Sequence, residues 1–303
     1  MNRRNFLKEI ARYTAGLTLM PPLFSILPQA RGESPPPLLA VGEGNDYAAL
    51  VSKVLGPWGG MKAFVKKGDR VVVKPNIGWD RTPEQGANTH PEIVKTVMKL
   101  ALEAGASQVL AFDRTVNEER RCYVNSGIKA AVESLNDRRA QCLFVDSRKF
   151  VPVRIARGKS INEWEFYKDA LEADAYINLP VAKQHSSSGL TLGLKNIMGV
   201  IGGSRGKIHF NLGQRIADLN TVLRPKLTLI DATRILLRNG PQGGDLKDVK
   251  VLNTLLASTD TVAVDAYATT FFGLKPEEVE STKAAYQLGL GEMDLKKIKI
   301  VRV

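Results

Sequence analysis

Cysteine and histidine are scarce in this chain. Two cysteines (Cys122 and Cys142) and three histidines occur among 303 residues. Two thiols cannot ligate a four-cysteine iron–sulfur cluster or a cysteine-rich zinc centre, so no iron–sulfur cluster is expected and no metal site is assigned. In an oxidising compartment the pair can form one disulfide, or it can stand as two buried thiols; the sequence leaves both alternatives open. Runs of five or more Lys or Arg are missing, and so is any basic–aromatic ladder, although the formal charge is +12 from 43 basic and 31 acidic residues. A nucleic-acid partner is therefore not expected. The apolar stretch from Tyr13 to Leu27 is broken by Gly16, Pro21 and Pro22, which makes a poor transmembrane helix. No short internal repeat is found.

What is present begins with Arg3-Arg4-Asn5-Phe6-Leu7-Lys8. Paired arginines followed by two apolar-leaning positions and a lysine match the twin-arginine export pattern, with the twin-arginine translocase as the implied partner. Residues 1–30 are read as the signal peptide, with Ala30 as its last residue. A leader retained as an anchor is the alternative. The Pro- and Ser-rich residues 31–37 read as a linker, and 38–303 as the folded body. This reading places the protein in the periplasm or another extracytoplasmic compartment. The route carries folded cargo, often with a cofactor already in place, and the sequence does not name one. The leader holds Arg3, Arg4, Lys8, Arg12 and Glu9, which carry +3, so the body remains at +9. That excess suits an anionic ligand, a membrane surface or a solvated basic shell.

Hydrophobic content of 44% and charged content of 24% allow the body a real core. Along it, strand-like runs alternate with helix-like ones. Leu38–Val41, Arg70–Lys74, Gln108–Phe112, Cys142–Val145, Ala175–Leu179, Leu227–Ile230, Leu252–Ala257 and Ile298–Val301 read as strands. Tyr47–Leu55, Pro91–Ala104, Ser126–Leu135, Leu190–Ile201, Asn211–Leu223, Val262–Phe272 and Ala284–Leu288 read as helices. Phe150–Ala156 reads as part of a small antiparallel insertion. The alternation predicts an α/β fold with a mainly parallel sheet and helices on both faces.

In such sheets ligands gather where strands end. The strand ending in Lys74-Pro75-Asn76 holds Lys74 out of helical geometry and offers the Asn76 amide. Thr89 is read as the N-cap of the helix that opens at Pro91, with His90 beside it, either a ligand or a structural helix-entry residue. The densest segment runs from Asn178 to Gly203. A strand delivers Asn178, and a polar loop carries Lys183 and His185. A helix then sets Thr191 and Lys195 four residues apart on one face, with Asn196 adjacent. Two lysines and a histidine converging on one pocket attract a carboxylate, phosphate or sulfate, and can lower one lysine's pKa enough to make it a base or nucleophile. Asp231 ends a buried strand and is the candidate orienting carboxylate. Asp260 is read as an N-cap, and Asp265, inside an apolar helix, as a partner for one of the lysines. The glycine-rich basic run Gly202–Lys207 is read as a lid over an anion, with His209 just beyond it.

Lys74-Pro75-Asn76, Thr89-His90-Pro91, Asn178-Leu179-Pro180 through Lys183 and His185, Lys195-Asn196 with Gly199, and Asp231 with Gly240-Pro241 together resemble the domain-of-unknown-function 362 family, from about Val41 to Gly273. Some members carry a ferredoxin-like iron–sulfur module, so the resemblance implies redox company and a possible redox partner. This chain lacks the cysteine clusters of that module. The Lys74–Gly105 region is also similar to the N-terminal region of nickel-dependent lactate racemase-type proteins. Two functions are expected to compete. One is a redox-associated enzyme or cofactor-bearing protein acting on a small anionic ligand through Lys183, His185 and Lys195. The other is a non-catalytic extracytoplasmic binding or maturation accessory protein using the same pocket.

Overall fold

The computed structural model describes residues 35–303, so the leader and the first residues of the linker lie outside the described residues. The chain lays down β1 (Leu38–Glu43), then α1 (Tyr47–Leu55), whose first turn is capped by the Asp46 carboxylate accepting from the Ala49 amide. Next come β2 (Arg70–Pro75), α2 (Pro91–Glu103), β3 (Gln108–Ala111), α3 (Glu119–Asn125), α4 (Ile128–Glu133) and β4 (Ala140–Cys142). An antiparallel pair follows, β5 (Phe150–Arg154) against β6 (Glu163–Tyr167). One helical turn, α5 (Lys168–Leu171), leads to β7 (Ala175–Leu179), β8 (Val181–His185) and β9 (Gly189–Thr191). The chain closes with α6 (Leu212–Asn220), β10 (Leu227–Leu236), β11 (Val249–Ser258), α7 (Thr261–Ala268), α8 (Glu280–Gln287) and β12 (Lys299–Arg302).

Ten strands form one mixed sheet in the order β12-β1-β11-β10-β7-β2-β3-β4, with β8 and β9 continuing beside β10. From β10 to β4 every neighbouring pair is parallel, and β11 runs antiparallel to both β1 and β10. The three valines of β2 show why helices cover both faces. Val71 and Val73 enter one apolar cluster with Ile93, Val97 and Ala101 of α2, while Val72 enters another with Ile216 of α6. Alternation with a period of two, every residue apolar, requires cover on each side. A third cluster joins Leu39, Ile230 and Leu256 to Ala263 and Val264 of α7.

The α/β class, the parallel centre and the small antiparallel insertion agree with the sequence reading. Several elements differ, and the strand expected at Cys142–Val145 is β4 at Ala140–Cys142. Glu119–Asn125 is an additional helix, capped by the Glu118 carboxylate. The expected helix Leu190–Ile201 is instead the return strand β9 followed by a 3-10 helix, Lys195–Val200. Three serines and Gly189, at φ 72°, turn the chain back on β8, so that Lys183 faces Thr191 and His185 faces Gly189. The 183–185 segment is therefore strand, not loop. Cys122 and Cys142 are free thiols, and burial pushes them up to about 11 and about 12.

Candidate functional site

The register of the central strands brings the polar residues together. β7, β2 and β3 are parallel neighbours, with Lys74 opposite Asn178 and Val73 opposite Ala111. Their C-terminal ends therefore discharge Asn178, Lys74 and, two residues past β3, Asp113 at one edge of the sheet. Asn196, from the 3-10 helix, ties them. Its amide nitrogen donates to the Lys74 carbonyl (3.0 Å) and to Asn178 Oδ1 (2.9 Å), and its Oδ1 accepts from Lys74 Nζ (2.7 Å). Asn178 in turn donates to the Gly193 carbonyl (2.9 Å). Lys74 Nζ lies 2.9 Å from Asp113 Oδ1, with both side chains buried, and Asp113 Oδ2 accepts from the Ile77 amide (2.6 Å). Burial lowers the Lys74 pKa, and Asp113 partly offsets this.

The β8–β9 hairpin supplies the next wall. Strand alternation places Lys183 and His185 on one face, with Thr191 across from Lys183. Lys183 Nζ donates to Asn76 Oδ1 (2.9 Å) and to the Ala87 carbonyl, and sits 5.9 Å from the Trp79 ring centre. Burial, with Lys195 next, lowers its pKa well below the usual value. His185 Nδ1 accepts from the Ser187 amide (3.1 Å), which leaves the proton on Nε2. Burial, then Lys195 and Lys183, push the imidazole down to about 3, so it is a neutral donor.

Lys195 differs from the other lysines. Lys74 and Lys183 are both spent on protein acceptors, but Lys195 Nζ has no hydrogen-bond or ion-pair partner among the described residues. Its side chain is buried, and burial together with Arg205 and Lys74 pushes its pKa down to about 8. Thr191 Oγ1 is likewise buried without a partner. Arg205 donates to the carbonyls of Arg114 (2.6 Å) and Thr115 (2.5 Å), and Arg114 to those of Ile201 (3.0 Å) and Gly203 (3.1 Å). These groups surround a cavity of about 70 Å³, room for a few waters or one small oxyanion. Five bases (Lys74, Arg114, Lys183, Lys195, Arg205) face it, against one acid, Asp113.

Of the residues expected from sequence, Lys74, Asn76, Lys183, His185, Thr191, Lys195 and Asn196 line this cavity, and Asn178 braces Asn196 from behind. Thr89, His90 and Asp231 do not line it. The N-cap of α2 is His90, whose Nδ1 accepts from the Glu92 amide, and not Thr89. Thr89 is a strut, accepting from the Asn76 amide and donating to the Leu179 carbonyl, each at 2.8 Å. Asp231 is consumed by the His90 amide (2.7 Å) and by Thr233, since β10 runs on past it. Asp260 does cap α7, accepting from the Ala263 amide. Asp265 binds no lysine. It accepts from the Gly193 and Leu194 amides (2.7 and 2.9 Å), and burial pushes it up to about 7. It therefore anchors the turn that presents Lys195. The Gly202–Lys207 run is pinned through Arg205, and His209 is exposed outside the cavity.

Sequence reasoning passed over Asp113, Arg114 and Trp79. The signal for the first two was the one already used for Lys74, polar residues just past a buried strand. Among the described residues no group of three or more His, Cys, Asp or Glu is placed to hold a metal ion. No described helix is long and apolar enough to cross a membrane.

Residues 71–270 match the family described as Domain of unknown function (DUF362). Over 263 residues the chain is 29% identical to the thylakoid-associated protein sll1697 of Synechocystis sp., covering 82% of this chain and 77% of that one. Among solved structures, the lactate racemase apoprotein from Thermoanaerobacterium thermosaccharolyticum aligns with a TM-score of 0.46 at 15% identity, over 77% of this chain and 56% of its own. A Thermotoga maritima protein aligns with a TM-score of 0.40 at 12% identity, over 81% and 60%. The chain thus spans less than two thirds of either solved structure.

Proposed function

The chain belongs to the DUF362 family, and from that premise we propose that its sheet-edge cavity binds a small, multiply charged anion, either a substrate or the anionic end of an organic cofactor. The observation that carries this is Lys195, a largely buried lysine whose ammonium opens on the cavity with no protein acceptor, set among four further bases and one acid. A charge held mostly out of water without a partner is costly, and a bound oxyanion is the partner it lacks. The orphan Thr191 hydroxyl adds a donor, and neutral His185 adds its Nε2–H. With a pKa of about 8, Lys195 holds a proton at neutral pH and can release one, so it is also the group we assign as acid–base or nucleophile in a redox-associated reaction.

Titration calorimetry with phosphate, sulfate and small dicarboxylates tests this. Lys195→Gln should weaken the best of them by about 10- to 100-fold, the value of one hydrogen bond to a charged group. Affinity in the wild type should fall as the pH is raised past about 8, because the lysine then loses the charge that meets the anion. Unchanged affinity in the variant would remove Lys195 from the site. Tight binding with no turnover of any bound compound would favour the accessory-protein reading.

We further propose twin-arginine export, supported by Arg3-Arg4-Asn5-Phe6-Leu7-Lys8, with residues 1–30 as signal and 38–303 as the exported body. In a host with this pathway, replacing Arg3 and Arg4 together by Lys should leave the protein in the cytoplasm, read by cell fractionation. Undiminished export would refute it.

A further inference from the structure

We infer that the anion held at Lys195 is the head of a longer ligand whose tail carries a positive charge, with Arg114 as the partition between the two halves of its site. This rests on the anion-binding reading above. Arg114 lines the lysine cavity and also a second cavity of about 450 Å³. Its guanidinium is fixed at that boundary by the Ile201 and Gly203 carbonyls and lies 5.6 Å over the Phe150 ring.

Across this boundary the charge changes sign. The lysine cavity has five bases and one acid; the second has Glu119 and Glu165, with Arg114 as its single base. Glu119 is occupied in part by the Val145 amide (3.1 Å). The Glu165 carboxylate is exposed and has no hydrogen-bond or ion-pair partner among the described residues. Its charge reaches Arg114 only at longer range. A third cavity, of about 250 Å³, shares Glu165 and Gly203 with the second and adds Trp164, with Glu163 and Lys207 as a pair of opposite charges. The path therefore runs from the lysines past Arg114, along Phe150, to a free carboxylate flanked by an indole. Free carboxylate oxygens and an aromatic face both favour an ammonium-like group. The strands β5 and β6 supply Phe150, Trp164 and Glu165, so the antiparallel insertion has a function here: it builds the distal wall.

Glycine keeps the second cavity open. A Cβ at Gly202 would lie 2.8 Å from Phe150 Cγ and 2.9 Å from Glu165 Cβ, closer than carbon atoms approach.

Calorimetry of the full chain with inorganic phosphate, n-alkyl phosphates and ω-aminoalkyl phosphates of graded length tests the inference. At the length that spans Arg114, the aminoalkyl compound should bind roughly tenfold more tightly than the alkyl compound of equal length, the worth of one charge-assisted hydrogen bond. Glu165→Gln should abolish that preference and leave inorganic phosphate unchanged. Gly202→Ala should do the same by narrowing the cavity. Equal affinities for the two series at every length, or a preference that survives Glu165→Gln, would overturn the inference while the anion site stands. Failure of inorganic phosphate and of both series to bind the wild type would bring down the anion site and this extension together.

Discussion

Asp113→Ala should destabilise the protein by about 3–5 kcal/mol at pH 7, the cost of leaving a buried charge without its partner. Lys74 is fully buried, and its Nζ has two partners, Asp113 at 2.9 Å and Asn196 at 2.7 Å. Only Asp113 carries opposite charge, and Arg205 adds repulsion. Removing the carboxylate therefore leaves desolvation unopposed and drops the Lys74 pKa further below its ordinary 10.5. The sign of the pH effect follows. Between the folded pKa and the unfolded one, the unfolded chain binds more protons, so stability rises with pH. The deficit of the variant relative to wild type should be largest near neutrality and shrink as the pH approaches 10.5. Urea denaturation at pH 7 and pH 10 measures both quantities. A deficit that does not change with pH would mean that Lys74 is not the group left exposed to the loss.

Stability alone does not account for such a pair. Buried ion pairs exchanged for neutral groups of similar shape are often no worse than the original. Lys74→Met combined with Asp113→Asn should thus recover most of the loss, since the asparagine oxygen can still accept from the Ile77 amide. Placing a lysine at the end of a three-valine strand makes physical sense if its charge is used. After burial and Arg205, Lys74 adds to the potential that lowers the Lys195 pKa, while Asp113 keeps Lys74 from expelling its own proton. In this view the pair tunes the ligand-facing amine and does not itself hold the ligand.

How much of this could be read from the sequence varied with the kind of residue. The run Val71–Val73 announced a strand buried on both faces, and Tyr47–Leu55 and Ala175–Leu179 were legible to the residue, because apolar periodicity there has one meaning. Lys74, Asn178 and Asn196 were legible as polar residues at places that must be buried. The hairpin 181–191 was not. Its cavity-facing positions are Lys183, His185 and Thr191, while Ala182 and Leu190 are buried in the core on the other face, and a strand with lysine on a buried side resembles a solvated loop. Asp113 follows the apolar run Gln108–Phe112, but its pairing with Lys74 depends on the parallel register of β2 and β3, which no local pattern encodes. Asp231 misled for the opposite reason. It ends an apolar run, yet β10 continues for five more residues, and the carboxylate is spent inside the structure.

Gly199→Ala should abolish anion binding and cost at least the 1–3 kcal/mol typical of overpacking. Gly199 is buried in the 3-10 helix, and an added Cβ would overlap Asp113 Oδ1 and crowd Lys74 Nζ. The backbone at Gly199 cannot simply retreat, because its carbonyl accepts from the Arg114 amide at 2.9 Å. Asp113 cannot easily yield either, since Oδ2 is held by the Ile77 amide at 2.6 Å. Lys74 is the flexible member, but its escape breaks the bond to Asn196, and Asn196 braces both Asn178 and the turn before Lys195. A single methyl group is thus expected to part the ion pair and shift the lysine that meets the ligand. Two readouts separate these effects. Urea denaturation reports the packing cost, and phosphate titration of the folded variant reports the site. If Gly199→Ala alone binds phosphate as tightly as wild type, the close approach of this glycine to the Lys74–Asp113 pair has no bearing on the cavity.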